Sequence, residues 1–358
     1  MDKITLHWVQ IPLHEPFRIS NGAVAVKDSI VVEAQDGAFV GFGEASPMAG
    51  SFYSVETPES TWEALEKRLI PPVLAGATGE LPNDEPFARA GLDGALWDLK
   101  AQRLGEPLWR LLGSEPRPIP SGVAIGIFDT IEELLERVRR FVAAGYRRVK
   151  IKIQPGWDLE PVQAVRQRFP HIDLMTDANA AYSIRDLAVF QELDRFGLMM
   201  YEQPLAREAL EEMAELQRAV RTPVCADESA ESLDALERMI QLGSARIINI
   251  KIQRVGGLER ARQMHDRARA AGLDCWLGTM PELAIASAQG LHLATLPGFT
   301  YPTDVEASER WYIDDLTDPP LAIDPQGYLH LPPGPGTGFA VDRSKLERYT
   351  IQKAELAA

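Results

Sequence analysis

Five charged residues recur at a nearly constant interval through the middle of the chain: Lys152, Asp177, Glu202, Asp227 and Lys251. The separations are 25 from 152 to 177, 25 from 177 to 202, 25 from 202 to 227, and 24 from 227 to 251. Each lies at the end of a short apolar run, as in Val149-Lys150-Ile151-Lys152-Ile153, Met175-Thr176-Asp177, Tyr201-Glu202, Ala226-Asp227 and Asn249-Ile250-Lys251. Three carboxylates converging on one point repel one another unless a cation lies between them. Oxygen-only ligands suit a hard divalent ion, Mg²⁺ or Mn²⁺. Zinc fits less well, because neither cysteine nor histidine recurs at these positions. The plain alternative is three unrelated helix N-caps, and their common register weighs against it. Lys150 and Lys152 face the same side of a strand. A buried lysine pair lowers the ammonium pKa through desolvation and like-charge repulsion, which makes one of them a usable base. Lys251 is then expected to face Lys152 across the same mouth. Solvated or structurally paired lysines are the alternative.

An interval of about 25 residues is the length of one strand plus one helix, so the charges imply a repeating βα frame. Apolar runs occur at Val123–Ile127, Val149–Ile153, Leu174–Thr176, Met199–Tyr201, Pro223–Ala226, Ile247–Ile252, Cys275–Leu277 and Phe299–Tyr301. Amphipathic stretches separate them. Thr130 and Glu133 form a capping-box pattern, and Gly145, Gly243 and Gly272 follow helix ends. Eight such units predict a closed (β/α) barrel, whose functional face is the C-terminal end of its strands. No GxGxxG or Walker sequence opens any helix, which disfavours an open nucleotide-binding sheet.

Before the barrel lies an α+β unit. Strands are expected at Ile4–Val9, Ser29–Ala34 and Phe39–Glu44, with a hairpin at Gln35-Asp36-Gly37 and helices near Thr61–Leu69 and Pro86–Arg103. The stretches Ser20–Ala25 and Ser46–Ser54 read as mobile loops. The tail beyond about Ala322 is rich in proline and glycine and is expected to pack back on the first unit. The expected fold is α/β, a modified (β/α) barrel of TIM type with an α+β capping domain made by the N-terminal part and the C-terminal tail. The expected divisions are 1–118 (cap), 119–320 (barrel) and 321–358 (tail).

The 358 residues carry 37 basic and 52 acidic side chains, a formal charge of −15. That balance disfavours nucleic acid and anionic membrane as partners. No run approaches the roughly 20 apolar residues of a membrane span, and no signal peptide is evident at the start. Two cysteines, Cys225 and Cys275, are too few for a disulfide scaffold and read as small buried residues, so a reducing cytoplasm is expected. The histidines show no ligand spacing, and His265 reads as an exposed helical residue. Gly256-Gly257 reads either as an anion site at a helix N-terminus or as a tight turn.

The series Lys-x-Lys, Asp177…Asn179, Glu202-Gln203-Pro204, Asp227-Glu228-Ser229 and Asn249-Ile250-Lys251 resembles the enolase superfamily in its muconate-lactonising subgroup. Within it, Pro16–Ser20, Gly126–Ile131, Ile151–Asp158 and Arg254-Val255-Gly256-Gly257 are similar to the o-succinylbenzoate synthase/N-succinylamino acid racemase family. The resemblance implies that Asp177, Glu202 and Asp227 hold Mg²⁺ (or Mn²⁺), and that Lys152 and Lys251 form an acid/base pair. It implies supporting roles for Lys150, Asn179 and Glu228, and substrate-closing loops at Ser20–Ala25 and Ser46–Ser54. Ser20, Met280 and Glu282 are expected to contact substrate. Family members read Gly-Gly-Met-Ile-Glu-Thr-Gly after the seventh strand. Here that stretch is Gly278-Thr279-Met280-Pro281-Glu282-Leu283-Ala284, so the pocket wall departs from the pattern.

The implied reaction is α-proton abstraction from a small carboxylate substrate through an enediolate. Dehydration by an o-succinylbenzoate synthase of menaquinone synthesis ranks first. Racemisation of N-succinylamino acids, alone or alongside it, ranks second. Cycloisomerisation or dipeptide epimerisation ranks third, and a catalytically dead carboxylate-binding barrel last. A cytoplasmic homo-oligomer is expected.

Overall fold

The computed structural model describes residues 1–19, 22–48, 56–77 and 79–358, with the side chains of 17–19 and 22–23 left out. Three strands open the chain: β1 (Lys3–Ile19), β2 (Gly22–Asp36) and β3 (Phe39–Ala45). They form an antiparallel sheet, joined on its far edge by the strand Thr350–Ala357, so that the order is Thr350–Ala357, β1, β2, β3. The turn before β3 uses Gly37 at φ +61°, where a side chain is disfavoured.

β1 and β2 run well beyond the apolar alternation that announces them. Past Pro12 the pair continues, with a register shift between Pro12 and Phe17, until Ile19 meets Gly22. The expected loop Ser20–Ala25 is therefore strand from Gly22 onward. A two-stranded ladder needs only backbone groups, and this arm is solvated, with His14, Glu15, Pro16 and Val26 exposed. Burial does not alternate along its described side chains, so no apolar alternation marks it. Ser20, with its expected substrate contact, and residues 49–54 of the expected loop Ser46–Ser54 lie outside the described residues.

The first helical stretch continues five residues past the expected end, as Pro58–Ala64, a π-helical Leu65–Leu69 and Ile70–Leu74. The next helix, Pro86–Leu104, lies on β3 at backbone contact distance. A Cβ added to Gly43 would collide with the Gly91 carbonyl, and one at Gly41 with the Leu99 amide. Both glycines are required by close approach rather than by a turn.

Seven parallel strands then follow in spatial order: Gly122–Ile125, Arg148–Lys152, Asp173–Asp177, Tyr201–Glu202, Val224–Ala226, Ile247–Ile250 and Asp274–Leu277. The eighth apolar run forms no extended strand. Single bridges close the ring instead: Phe299 pairs with Cys275 on the seventh strand, and Thr303 with Ser121 beside the first. Gly298 at φ +100° and Pro302 interrupt regular pairing there. The intervening helices bury apolar stripes, and Thr130 caps one by accepting from the Glu133 amide at 3.2 Å.

Residues two apart share a face, so each strand sends alternate side chains inward. Met175, Met200, Cys225, Ile247 and Trp276 form one buried inner layer. Two residues further along most of these strands come the charged groups. His265, expected to be exposed, is buried; it stacks on Phe299 at 5.0 Å between ring centroids and bonds the Pro297 carbonyl through Nε2 at 2.7 Å. Among the described residues no helix is long and apolar enough to cross a membrane.

Candidate active site

A cavity of about 1030 Å³ opens at the C-terminal ends of the strands. Lys150, Lys152, Asp177, Asn179, Glu228, Lys251, Met280 and Glu282 all line it. Every described candidate therefore reaches one chamber, except Glu202 and Asp227, which lie beneath its wall. Both are buried; Asp227 bonds Lys251 and Arg254, which line the cavity, and Glu202 forms an ion pair with Lys150, which also does.

The charges are arranged as interlocked pairs. Lys152 Nζ donates to Asp177 Oδ2 at 2.5 Å and to Asn179 Oδ1 at 2.6 Å. Asp177 Oδ1 accepts from the Asn179 amide at 2.9 Å. Lys251 Nζ donates to Asp227 Oδ2 at 2.9 Å, and Arg254 Nη1 to Asp227 Oδ1 at 2.5 Å. Glu202 Oε1 accepts from Asn249 Nδ2 at 3.0 Å. Its Oε2 is buried without a hydrogen bond, although Lys150 Nζ stands 3.0 Å away off the proper angle.

Electrostatics separates these groups. Burial alone would raise the carboxyl of Asp177, but Lys152 and Lys150 outweigh it and hold it low. Asp227 is likewise lowered against its burial by Arg254 and Lys251. Glu202 goes the other way, to about 8, through burial and then repulsion from Asp177. Glu228, which accepts from Asn179 Nδ2 at 3.1 Å, is raised by burial and by Asp227.

The expectation of a depressed lysine fails at Lys150. Its ammonium is raised well above the ordinary lysine value, because Asp304, Glu202 and Asp177 outweigh its desolvation. Asp304 Oδ2 accepts from Lys150 Nζ at 2.6 Å and Oδ1 from Arg148 at 2.5 Å. Despite full burial Asp304 is held at about 2 by those cations. Lys150 also lies over the Trp276 ring at 5.0 Å. These carboxylates favour its charged form.

Asp304 was missed by the spacing argument, which stopped at Lys251. Continued to the eighth run it leads there, since 304 − 251 = 53 is about two units. Arg254 and Gln203 were missed as well. Gln203 Oε1 accepts from the Asp227 and Ser229 amides at 2.9 and 3.1 Å, which orders the end of the fifth strand. Gln203 (φ +36°), Asn179 (φ +41°) and Ala180 (φ +61°) take left-handed backbone beside the carboxylates. Such strain gathers where a site over-determines its backbone.

Among the described residues no group of three or more His, Cys, Asp or Glu side chains is arranged to hold a metal ion. The expected triad of Asp177, Glu202 and Asp227 is thus not assembled as a ready cage, because lysines and an arginine take the aspartate oxygens. Its donor chemistry nonetheless fits a hard cation. Three adjacent strands supply oxygens only, the carboxylates repel one another, and Glu202 Oε2 is an orphaned buried acceptor.

Glu282 sits in the departing segment; its side chain accepts from the Met280 amide at 3.1 Å, and burial with repulsion from Glu44 raises it to about 8. Leu283 is fully buried in an apolar cluster with Val9, Ile11 and Val31 of the cap sheet. The segment therefore departs from the family pattern where it joins cap to barrel. At Gly256-Gly257 the anion is internal: Asp93 Oδ2 accepts from the Leu258 amide at 2.7 Å.

A family model for the enolase C-terminal domain-like fold matches residues 133–345, and one for the mandelate racemase/muconate lactonizing enzyme N-terminal domain matches 2–113. An o-succinylbenzoate synthase of Geobacillus kaustophilus is 41% identical, covering 98% of this chain and 96% of its own. An N-succinylamino acid racemase of Amycolatopsis sp is 39% identical over 98% and 97%. The solved structure of an enolase superfamily member from Listeria innocua superposes with a TM-score of 0.93 at 32% identity, covering 99% of this chain and 98% of that one. The two matched domains, the barrel and its strand-end charges together place this chain among the enzymes of the enolase superfamily.

Proposed function

We propose that this enzyme removes the proton α to a carboxylate of a succinylated substrate and directs the enediolate to one of two ends. The observation that carries the reading is the placement of Lys152 and Lys251 on the second and sixth barrel positions, both lining one cavity, with carboxylates between them. Asp177, Glu202 and Asp227 would hold a divalent ion, Mg²⁺ first. When bound, that ion supplies Lewis acidity and charge neutralisation at the substrate carboxylate.

The chain's own residues do the rest. One lysine, released from its carboxylate as a neutral amine, takes the α-proton. Lys150, fixed as a cation by Asp304, keeps the field positive where negative charge develops. Asn179 holds Lys152 in line through its Oδ1. In the synthase outcome Lys152 takes the α-proton and delivers it to the substrate's departing hydroxyl, which leaves as water, while Lys251 stabilises the enediolate. In the racemase outcome the opposite lysine returns a proton to the other face. Relatives named for each outcome match at 41% and 39% identity, and dehydration by an o-succinylbenzoate synthase is placed first, racemisation of N-succinylamino acids second.

The test is turnover of the synthase substrate and of N-succinylamino acids with Mg²⁺ in deuterated water, followed by NMR. Metal-dependent incorporation of deuterium at the α-carbon is the expected result. Neither turnover nor exchange with any of these substrates removes the reading.

A further inference from the structure

The turn that begins at Lys251 is gripped from two sides. On the barrel side Arg254 bonds Asp227. On the cap side three contacts reach the run 251–258. Arg89 donates to the Gly256 carbonyl, and Asp93 accepts from the Leu258 amide. The third is Gln253, which is 1% exposed. Its Nε2 donates to the Glu44 carbonyl at 2.8 Å, and its Oε1 accepts from the Ser46 amide at 3.0 Å. One side-chain amide thus completes the backbone of the cap strand's end. It does so from a helix of four residues, Ile252–Val255, whose N-cap is Lys251 itself.

We propose that Gln253 is a positioning residue for Lys251. It splices the end of β3 to the turn that sets this lysine's backbone, so that the cap holds that turn in place. Its geometry suits that role. Both polar atoms of the side chain are satisfied, both partners belong to the other domain, and Gln253 does not touch the cavity. A small displacement of a catalytic group costs on the order of 10²-fold. A loosened Lys251 should therefore lose rate on its own side of the substrate.

The inference rests on the chemistry proposed above, and the test separates the two. Gln253→Met keeps the volume and removes both hydrogen bonds. α-Proton exchange is followed in deuterated water for each enantiomer of an N-succinylamino acid, with sides assigned by Lys152→Ala and Lys251→Ala. We expect exchange on the Lys251 side to fall about tenfold or more, and the Lys152 side to stay within about threefold. A parallel fall on both sides, or no fall, overturns the proposal. The second measurement needs neither substrate nor variant: amide hydrogen exchange of the unaltered protein over residues 44–48 and 251–257. A shared opening rate supports the splice; 251–257 opening while 44–48 stays protected overturns it. If the unaltered enzyme exchanges neither enantiomer, the proposed chemistry falls, and the amide measurement still decides the splice.

Discussion

The two candidate bases sit in differently built surroundings. Lys152 ends a five-residue strand paired in register with its neighbour, Arg148 opposite Asp173 through Lys152 opposite Asp177. The turn after it closes on itself, with Gln154 and Trp157 exchanging backbone hydrogen bonds. Lys251 instead caps a single helical turn, which Gln253, Arg89 and Asp93 pin to the cap. The side chains differ too, at 21% and 10% exposed. Among the described contacts, Lys152 is held by Asp177 and Asn179 of the barrel, while the turn at Lys251 is tied to the cap. A symmetric reaction can thus be served by an asymmetric scaffold.

The largest test removes each lysine in turn. Lys152→Ala should leave α-proton exchange of one enantiomer only, and Lys251→Ala that of the other. Each loss should be about 10²–10⁴-fold, read by NMR on separate enantiomers. Two variants that exchange the same enantiomer would refute opposed bases.

The barrel side can be broken without touching the cap. Asp304→Asn leaves Lys150 and Arg148 as buried cations short of a partner. Stripping one member from such a network costs about 3–5 kcal/mol. Urea denaturation should show that loss, and a midpoint unchanged from the parent would mean the cations repartner freely.

The joint has its own pH signature. His292 is buried; its Nδ1 accepts from the Trp109 amide at 3.0 Å, and its Nε2 meets the Thr337 carbonyl at 3.0 Å. The tautomer with its proton on Nε2 satisfies both. Burial lowers this imidazole from 6.5 to about 4. The unfolded chain therefore binds the extra proton first as pH falls. Stability from this group is complete above about pH 6.5 and is lost on acidification toward pH 4, by about 3 kcal/mol. His292→Gln should remove that part of the slope when unfolding is measured between pH 7 and 4.5. An identical slope in the variant would assign it elsewhere.

Glu44 gives the smallest effect. Its Oε1 accepts from the Leu283 amide at 2.9 Å and its Oε2 from the Ala286 amide at 3.0 Å, across the domain boundary. Glu44→Gln turns one acceptor into a donor and orphans one amide, for about 1–2 kcal/mol. A thermal midpoint equal to the parent's would show that the boundary relaxes around it.

What could be read from the chain follows the same division. The strand-end charges were legible because a βα unit has a fixed length, which turns spatial convergence into an interval along the sequence. The wall departure at Gly278–Ala284 was visible, but its partner cluster on the cap was not. Glu44, Asp93 and Gln253 lie 207 or more residues, or 165, from what they hold: Ser46 to Gln253, and Asp93 to Leu258. No periodicity links such pairs. Lys150 misled for another reason. Its spacing from Lys152 announced a like-charge pair, while the anion that reverses the effect, Asp304, stands 154 residues away. The closing segment hid because single bridges at Phe299 and Thr303 leave no run of alternation.

The cap sheet carries one more consequence, for how the chain comes off the ribosome. Residues 350–357 form the strand beside β1, with Lys3 opposite Ala357 and the Ala358 amide donating to the Asp2 carbonyl at 3.2 Å. β1 is therefore translated long before the strand that covers its outer edge. Throughout synthesis the backbone of Lys3–Val9 presents a bare, hydrogen-bond-hungry edge, the kind that recruits strands from other chains. The barrel between them is in effect an insertion into a four-stranded sheet. A circularly permuted chain that links residue 358 to residue 1 through a short glycine bridge, and opens in the exposed turn at Gly156, would make that sheet contiguous during translation.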